Sequence, residues 1–560
     1  MKLKYILSAT VLTLVMGFIF FACKEDEVYP ETRLFRPVLN KDLKAEGNSI
    51  IVNMGSMTKA VSYTLEVSRD TFKTLDYTIQ SDTSYVVINT ELLRGDPLYW
   101  NTLYQIRATA HAADPAYDSK VSDLGNVRTE RFPTILNLPT VYDVTDVGAR
   151  VTWAVSGSAA TKIAIYAPSD LKLTSPLMSF DLSEDAQTSG EAIIEGLTPS
   201  TQYQVALYSG DELRGWVDYT TKVPDIDADG PGVIDIREDT GPQAVVTAVA
   251  SAPDDAIILV KRGVVYDMPT VALNKSITIR AAYGFGAKRA QLHNTNGNWN
   301  IATGSTIDHI RFIGLEIRGD NFPDATGTYV FNPNVANVNV REILFEDCVI
   351  NTMRGVMRIR NTNVVIQNFT INNCVVDSIG TYGVFTADQD PNGPPSTTAR
   401  VDNITFTNST FNHLVLCIMS RNNSKTILID NCTFSNQLFP EGTAYLFNYR
   451  GSAGNNNVTD GITIRNSIFG PGWKQVETTP NNNFRGKNGL PTTPIDVSGN
   501  YVTSDWDFVI GYEIPGLRSL VYSGGQTNLW VDPGKSNFTF KDLTFPGRFS
   551  TGDPRWRVRL

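Results

Sequence analysis

A nine-residue pattern occurs seven times between His309 and Val502, and it constrains the fold of this 560-residue chain more than any other feature. Each copy has apolar residues at its second and fourth positions, a small residue near the seventh and an apolar residue at the ninth. The copies are residues 309–317, 342–350, 368–376, 403–411, 426–434, 461–469 and 494–502. Alternating apolar residues on both sides of a break predict two short strands that face one core.

The sixth position of the pattern predicts a sharp corner between those two strands. It is occupied by residue types that tolerate a left-handed backbone: Gly314, Asp347, Asn373, Asn408, Asn431, Asn466 and Gly499. We expect the residues that follow to form an inward stack: Cys348, Cys374, Ser409, Cys432 and Ser467. The interval between copies varies from 23 to 35 residues. Constant strands with loops of variable length predict a parallel β-helix, in which each coil contacts only its neighbours.

Two further patterns resemble known families and divide the chain. Residues 256–266 and 276–282 resemble the first coil of pectate-lyase-like helices, while 196–205 resemble the tyrosine corner of fibronectin type III domains and 102–108 resemble their sixth strand. The predicted fold class is therefore all-β, with two fibronectin type III-like β-sandwiches followed by a right-handed parallel β-helix. The expected boundaries are 1–22 (signal peptide), 23–35 (tether), 36–131 and 133–223 (sandwiches), 224–232 (linker) and 233–560 (β-helix with a closing segment).

The N-terminus predicts the cellular address. A lysine-bearing start and an apolar run precede Cys23, and residues 20–23 resemble a bacterial lipobox in which the cysteine is acylated. Residues 24–27 resemble the surface-export signal of Bacteroidota lipoproteins. The resemblance implies a protein anchored to the outer membrane through lipid and facing the cell exterior; the alternative is an ordinary secretory leader with a chance cysteine. The segments 529–533, 537–540 and 552–556 resemble the closing segment of Bacteroidota surface lipoproteins of this layout, which tend to be encoded in polysaccharide-utilisation systems.

A third strand in each coil carries the candidate binding residues. Its copies are residues 329–334, 356–361, 383–388, 417–422 and 445–450. Aligned on one another, they place aromatic rings and guanidinium groups in an outward row, with the candidates Phe331, Arg358, Arg360, Phe385, Arg421, Phe447 and Tyr449. Rings stack on the apolar faces of sugars and arginine pairs with carboxylate or sulfate, so this row suits an acidic glycan. The alternative is that loops cover this side and the rings form a secondary core.

These observations lead to one expected function and two alternatives. We expect a surface lipoprotein that captures an acidic or pectic polysaccharide and passes it to an outer-membrane uptake machinery. A formal net charge of −10 without a basic run makes nucleic acid a poor candidate partner. The first alternative is a pectate-lyase-like polysaccharide lyase, whose Ca²⁺ would require acids such as Asp388 and Asp390. The second is a structural or adhesive stalk.

The evidence for catalysis in the sequence is weak. The chain has only four histidines, and none has the spacing of a metal site or of a catalytic triad. The paired aspartates of pectinesterases and the tandem-aspartate and His-Gly phrases of β-helix hydrolases do not occur. We therefore expect neither a resident cofactor nor a metal ion, unless the protein is a lyase.

Overall fold

The structure, a computed structural model, describes residues 32–295, 298–320, 322, 328–360, 363–387, 399–437, 444–451, 454–474, 477–481 and 483–558. These residues divide into two compact units. The first contains residues 32–139, 150–194 and 202–220, and the second contains 140–149, 195–201 and residues from 221 onwards. The module boundaries given above stay predictions.

Seven strands form the first module: β1 (Leu39–Glu46), β2 (Ser49–Met54), β3 (Ser62–Ser68), β4 (Tyr77–Ser81), β5 (Tyr85–Ile88), β6 (Leu103–His111) and β7 (Ser122–Arg128). A 3₁₀ helix, Pro115–Tyr117, precedes β7. The sheets have the orders β1-β2-β5 and β4-β3-β6-β7, and every pairing is antiparallel. Alternate residues enter one core, as Ile50, Val52 and Met54 of β2 do. This is the sandwich arrangement of a fibronectin type III domain, as predicted.

Six strands and one short helix form the second module: β8 (Gly148–Thr152), β9 (Lys162–Tyr166), β10 (Met178–Asp181), α1 (Glu184–Ser189), β11 (Glu191–Glu195), β12 (Gln202–Ser209) and β13 (Glu212–Thr220). Its sheets have the orders β10-β9-β12-β13 and β11-β8. The Ser183 side chain caps the start of α1, and Gly190 ends it at φ +71°. Trp153 and Tyr203 are buried, and the burial of Tyr203 agrees with the resemblance of residues 196–205 to a tyrosine corner.

The remaining elements begin at Val233. They are β14 (Val233–Asp235), α2 (Ala244–Ser251), β15 (Ala256–Val260), β16 (Val265–Asp267), β17 (Ile277–Ala281), β18 (Ala290–His293), β19 (Asn298–Trp299), β20 (Thr306–Ile313), β21 (Leu315–Arg318), β22 (Tyr329–Phe331), β23 (Val338–Glu346), β24 (Val349–Ile359), β25 (Val364–Asn372), β26 (Val375–Ala387), β27 (Arg400–Thr407), β28 (Thr410–Leu414), β29 (Ile418–Ser420), β30 (Ser424–Asp430), β31 (Thr433–Gln437), β32 (Phe447–Asn448), β33 (Arg450–Gly451), β34 (Gly454–Asn455), β35 (Val458–Arg465), β36 (Ile468–Phe469), β37 (Gly472–Lys474), β38 (Glu477–Asn481), β39 (Asn483–Phe484), β40 (Lys487–Asn488), β41 (Ile495–Ser498), β42 (Tyr501–Thr503), β43 (Asp507–Phe508), β44 (Val521–Tyr522), α3 (Gln526–Leu529), β45 (Trp530–Asp532) and β46 (Asn537–Phe540). The 3₁₀ helices Pro533–Lys535, Pro546–Phe549 and Pro554–Trp556 complete this part.

Parallel pairing between successive coils makes this part a β-helix with three sides. The first side is a ten-stranded parallel sheet in the order β14-β15-β17-β20-β23-β25-β27-β30-β35-β41. The second follows the order β16-β18-β21-β24-β26-β28-β31-β36-β42-β44, and the third follows β19-β22-β24-β26-β29-β32-β40. The long strands β24 and β26 belong to both of these sides. The predicted all-β fold class is therefore confirmed.

The corner between the first and second sides has the predicted backbone. All seven corner residues have positive φ, with values from 51° at Asp347 to 72° at Gly314. The amide of one corner asparagine reaches the preceding coil, as Asn408 Nδ2 does when it donates to Asn372 Oδ1 at 2.9 Å. Because only a few residue types tolerate this conformation, the corner could be predicted from the sequence.

The predicted inward stack is present one residue after the corner. The backbone N–H of Cys348 donates to Cys374 Sγ at 3.2 Å, and that of Cys374 donates to Ser409 Oγ at 2.9 Å. The N–H of Cys432 donates in the same way to Ser467 Oγ at 3.0 Å. The cysteines are buried free thiols. Each side chain thus satisfies a buried donor of the preceding coil.

Added segments cover the N-terminal end and the second side of the β-helix. Helix α2 packs Val245 and Val249 onto the first coils. The closing segment folds back along the second side, where Thr410 Oγ1 donates to Asp553 Oδ2 at 2.7 Å. The Arg555 guanidinium donates to the backbone oxygen of Asn373 at 2.8 Å. Solenoids need a cover such as α2 because their terminal coils otherwise expose the core.

Candidate functional site

The third side of the β-helix places most of its aromatic rings in the core. One inward row passes from coil to coil through Trp299, Phe331, Met357, Phe385, Ile418 and Phe447. Phe331, Phe385, Phe447 and Tyr449 are each 0% exposed. Their predicted contacts with a glycan are therefore wrong, because none of these side chains reaches the surface.

The error lies in the strand register. The sequence alignment placed Phe331 beside Arg358, whereas the structure pairs Phe331 with Met357. A shift by one residue exchanges the inner and outer faces of a strand. The large apolar rings turn inward because burial removes their surface from water. Tyr449 follows them and donates its hydroxyl to Ser424 Oγ at 2.9 Å inside the protein.

The three predicted arginines do lie on the outer surface of the third side. Arg360 is exposed, and Arg358 and Arg421 are half-buried. The residues that precede Arg360 and Arg421 both pair with Ala387 in the coil between them. Arg360 and Arg421 therefore belong to one row, two coils and roughly 10 Å apart at the usual strand spacing.

Tyr382 is the centre of a cluster that the sequence analysis did not identify. The guanidinium carbon of Arg358 lies 3.8 Å from the centre of the Tyr382 ring, and that of Arg354 lies 4.6 Å from it. Tyr329 meets Tyr382 edge to face, with ring centres 5.7 Å apart. These distances are within the range of cation–π and aromatic contacts.

Gly355 makes this cluster possible. A Cβ atom at this position would lie 2.9 Å from Tyr382 Cβ and 3.1 Å from two ring carbons of Tyr329. Both tyrosines consequently pack against the backbone of β24. Within the described residues, the cluster therefore packs on a strand.

The Tyr329 phenol adds no negative charge to the cluster at neutral pH. Burial raises the pKa of the Tyr329 phenol, although the charges of Arg354 and Arg358 oppose that rise. The phenol is consequently neutral beside two guanidinium groups. An anion that approaches this surface meets the positive charge of the arginines, which the Tyr329 phenol does not offset.

A second arginine–tyrosine contact lies further along the same side. The guanidinium carbon of Arg485 is 5.8 Å from the Tyr445 ring centre, and the Tyr445 and Tyr512 rings are 5.2 Å apart. Burial and the hydrogen bond to Tyr512 raise the pKa of Tyr445. We call the outer surface formed by both clusters and the arginine row the arginine–tyrosine face. Its accessible residues are Arg354, Arg358, Arg360, Tyr382, Arg421, Arg485 and Tyr512, and the buried Tyr329 and Tyr445 pack beneath them.

One sequence signal could have located the missed tyrosine. Gly355 and Gly383 pair with each other on adjacent coils, and paired glycines inside strands indicate a close approach of large groups. Tyr382 directly precedes Gly383, which has φ +62°. The predicted third strand begins at Gly383 and so excludes Tyr382.

Three other predicted site residues, Cys23, Asp388 and Asp390, lie outside the described residues. Within the part of the chain that the structure describes, no three His, Cys, Asp or Glu side chains are grouped as metal ligands. In the same part, no helix has the length and apolar character required to cross a membrane.

Comparisons with known proteins place two family matches in the β-helix. Residues 264–413 match DUF4957 and residues 427–556 match DUF5123, each described as a domain of unknown function. No curated protein matches the chain. Among solved structures, the FN1-FN3 domains of chicken CNTN1 are 12% identical, with 34% of this chain and 68% of that chain covered and a TM-score of 0.15. A two-domain fibronectin type III segment of chicken tenascin is 15% identical, with 34% and 99% covered and a TM-score of 0.15.

Proposed function

We propose that the protein binds an acidic polysaccharide on the arginine–tyrosine face. The observation that carries this proposal is the stack of Arg358 on Tyr382, at 3.8 Å, beside Arg354. A guanidinium that lies on a ring keeps its planar fork in one orientation, so little conformational freedom is lost when it pairs with a carboxylate. The tyrosine ring adds an apolar surface suited to the face of a sugar.

The repetition of the face supports an extended ligand. Arg360 and Arg421 occupy one row two coils apart, and the Arg485–Tyr445 contact repeats the chemistry further along. A polymer that carries a charge on each repeat can pair with several of these sites at once. Each added contact then acts at high effective concentration, so individually weak sites combine into useful affinity.

The N-terminal sequence supports a location for this binding activity on the cell surface. The lipobox-like residues 20–23 and the acidic residues after Lys24 favour an acylated lipoprotein on the outer surface of a Bacteroidota cell. There the β-helix captures polysaccharide and passes it to an uptake machinery in the same membrane. Metabolic labelling with a fatty acid should mark the wild-type protein, and Cys23→Ala should abolish the label. A labelled Cys23→Ala protein would contradict the anchor.

Affinity electrophoresis tests the binding function. The purified protein should migrate more slowly in native gels that contain polygalacturonate, alginate or heparin than in gels without polysaccharide. Replacement of Arg354 and Arg358 by alanine should restore most of the mobility, since each lost charge-assisted hydrogen bond weakens binding roughly tenfold or more. Raised salt should weaken retention of the wild type, because exposed charges are screened.

Two arginines elsewhere on the β-helix provide the matched control. Arg311 pairs with Glu342 at 2.5 Å and Arg465 with Asp430 at 2.9 Å, both on the ten-stranded side. The Arg311→Ala/Arg465→Ala protein has the same change in net charge and should be retained like the wild type. Equal mobility of the wild type with and without all three polysaccharides contradicts the proposal. Cleavage of the polymer, detected as new chain ends, would favour the lyase alternative over capture.

A further inference from the structure

A second polar surface lies on the ten-stranded side of the β-helix. It is a groove of about 660 Å³ lined by carboxamide side chains, chiefly Asn337, Asn339, Asn363, Gln367, Asn368 and Asn403. A smaller groove of about 320 Å³ shares three of its lining residues, Arg400, Asp402 and Lys425. The two form one continuous surface, which we call the amide groove.

The carboxamides are organised from coil to coil. Asn363 Nδ2 donates to Asn337 Oδ1 at 2.9 Å, and Gln367 Nε2 donates to Asn339 Oδ1 at 3.2 Å. A side-chain amide has two N–H donors and a carbonyl oxygen with two lone pairs. One bond between Asn339 and Gln367, which both line the groove, therefore leaves that pair with further donors and acceptors. Sugar hydroxyl groups need this mixture, because each one both donates and accepts.

The charged side chains in the groove form ion pairs with one another. Asp402 is buried, and its carboxylate accepts from Arg400 Nε at 2.7 Å and pairs with Lys425 Nζ at 3.0 Å. A carboxylate shared by two cations leaves one positive charge in excess across the whole groove. The arginine–tyrosine face, by contrast, is dominated by guanidinium groups. The amide groove is consequently suited to a ligand of low charge.

The backbone around the groove argues against a peptide ligand. Strands β23, β25, β27 and β30 are each hydrogen-bonded to neighbours on both sides, so they offer no open edge for an added strand. The apolar lining of the larger groove consists of Val338, which is buried, and Val365, which is half-buried. Neither forms a pocket for the side chain of an amphipathic peptide.

From this arrangement we infer that the amide groove is a second binding site. It binds a neutral, hydroxyl-rich glycan chain that crosses successive coils, parallel to the axis of the β-helix. Successive coils repeat at about 4.8 Å, so the same amide chemistry recurs along the length of such a chain. Asn339 and Gln367 contribute most directly, since both project from regular strands and one hydrogen bond fixes their relative position. The site shares no residue with the arginine–tyrosine face, so either can fail without the other.

Native gels that contain soluble galactan, arabinan or xyloglucan test this site with the full-length protein. At least one of these neutral polysaccharides should retard the wild type. The Asn339→Ala/Gln367→Ala protein should bind it about tenfold or more weakly, since several hydrogen bonds are lost. It should keep the retention by polygalacturonate that the arginine–tyrosine face provides, and Arg354→Ala/Arg358→Ala should keep the retention by the neutral polymer.

Gln80→Ala/Asn126→Ala, with the same residue types replaced on exposed positions of the first module, is the matched control. Thermal unfolding confirms that each variant is folded. Wild-type mobility unchanged by all three neutral polymers would overturn the inference. An equal loss of neutral-polymer binding in the control and in the groove variant would also overturn it. The same holds if the groove variant loses polygalacturonate binding as much as neutral-polymer binding.

Discussion

Arg358 and Tyr382 lie on different coils of the β-helix, yet the guanidinium carbon of one is only 3.8 Å from the ring centre of the other. Arg358 belongs to β24 and Tyr382 to β26, which pair in parallel. The contact therefore joins neighbouring coils on their outer surface. It forms a platform of one guanidinium group on one aromatic ring, and the proposed function depends on it.

Gly355 should be the most sensitive backbone position near this platform. Gly355→Ala places a Cβ atom 2.9 Å from Tyr382 Cβ, so the tyrosine must move, at a cost of about 1–3 kcal/mol in the free energy of unfolding. Thermal unfolding should show the loss, and polygalacturonate binding should weaken with it. Gly534→Ala, whose Cβ would meet only a side-chain oxygen at 3.7 Å, should leave both unchanged. A wild-type melting temperature for Gly355→Ala would contradict the packing described.

Substitutions at a corner residue should distinguish the contribution of its backbone conformation to stability from that of its hydrogen bond. Asn408 has φ 51° and donates to Asn372 Oδ1. Asn408→Gly keeps the conformation and loses the bond, so we expect a cost of about 1 kcal/mol. Asn408→Val also forces a β-branched residue into the left-handed region, and the total should reach roughly 2–3 kcal/mol. Denaturant midpoints should fall in the order wild type, glycine, valine; equal midpoints for the two variants would contradict the role of φ.

How much of this could be predicted from the sequence differs between the corner and the third side. At the corner, positive φ limits the choice of residue, so Asn373 and Asn408 mark their own positions. On the third side, Val384 and Phe385 are adjacent in sequence and both are fully buried. When two successive residues are both buried, an alternating pattern fits two registers that differ by one residue. The sequence alignment therefore took the wrong register. The outward arginines could be predicted from the sequence. The position of Tyr382 could not, because it depends on a contact with Gly355 on the neighbouring coil.

The inward stack predicts that serine can replace cysteine but valine cannot. Cys374 Sγ accepts the backbone N–H of Cys348 at 3.2 Å, as Ser409 Oγ does for Cys374 itself. Cys374→Ser should cost no more than about 1 kcal/mol, while Cys374→Val leaves a buried donor unpaired and should cost about 1–3 kcal/mol more. Urea unfolding measures the difference. A Cys374→Val protein as stable as Cys374→Ser would contradict the stack.

The same burial predicts the reactivity of the thiols. Burial raises the pKa of the Cys374, Cys417 and Cys432 thiols well above the usual range. Their thiolate forms are consequently scarce at neutral pH, and a thiol reagent should label them only after denaturation. Rapid labelling of these three cysteines in the native protein would contradict the buried positions.

Asp377 should make the attachment of the closing segment sensitive to acid. It accepts hydrogen bonds from Ser536 Oγ and Ser378 Oγ, and its Oδ1 lies 3.0 Å from His413 Nδ1. Burial acts to raise the pKa of Asp377, but His413 and the hydroxyl groups outweigh it and hold the pKa below the ordinary value. A lowered pKa contributes stability above the unfolded-state pKa, and that stability is lost as pH falls through the folded-state pKa.

Asp377→Asn should therefore be less stable than the wild type at pH 7 by about 1–3 kcal/mol. The difference should shrink as the pH falls from about 4, where the unfolded aspartate begins to take up its proton. Asp123→Asn, at an exposed position of the first module, is the control, and melting temperatures across this pH range measure both. A difference that is constant down to acid pH would contradict the assignment.

Titration with an oligomer of galacturonate tests the central claim most directly, with the wild type compared with Arg358→Ala, Arg358→Lys and Tyr382→Ala. The account predicts that Arg358→Ala binds about tenfold or more weakly. Arg358→Lys should recover part of this loss, because lysine keeps the charge without the planar fork, and Tyr382→Ala should weaken binding although it changes no charge. Identical affinity for the wild type and all three variants would contradict it.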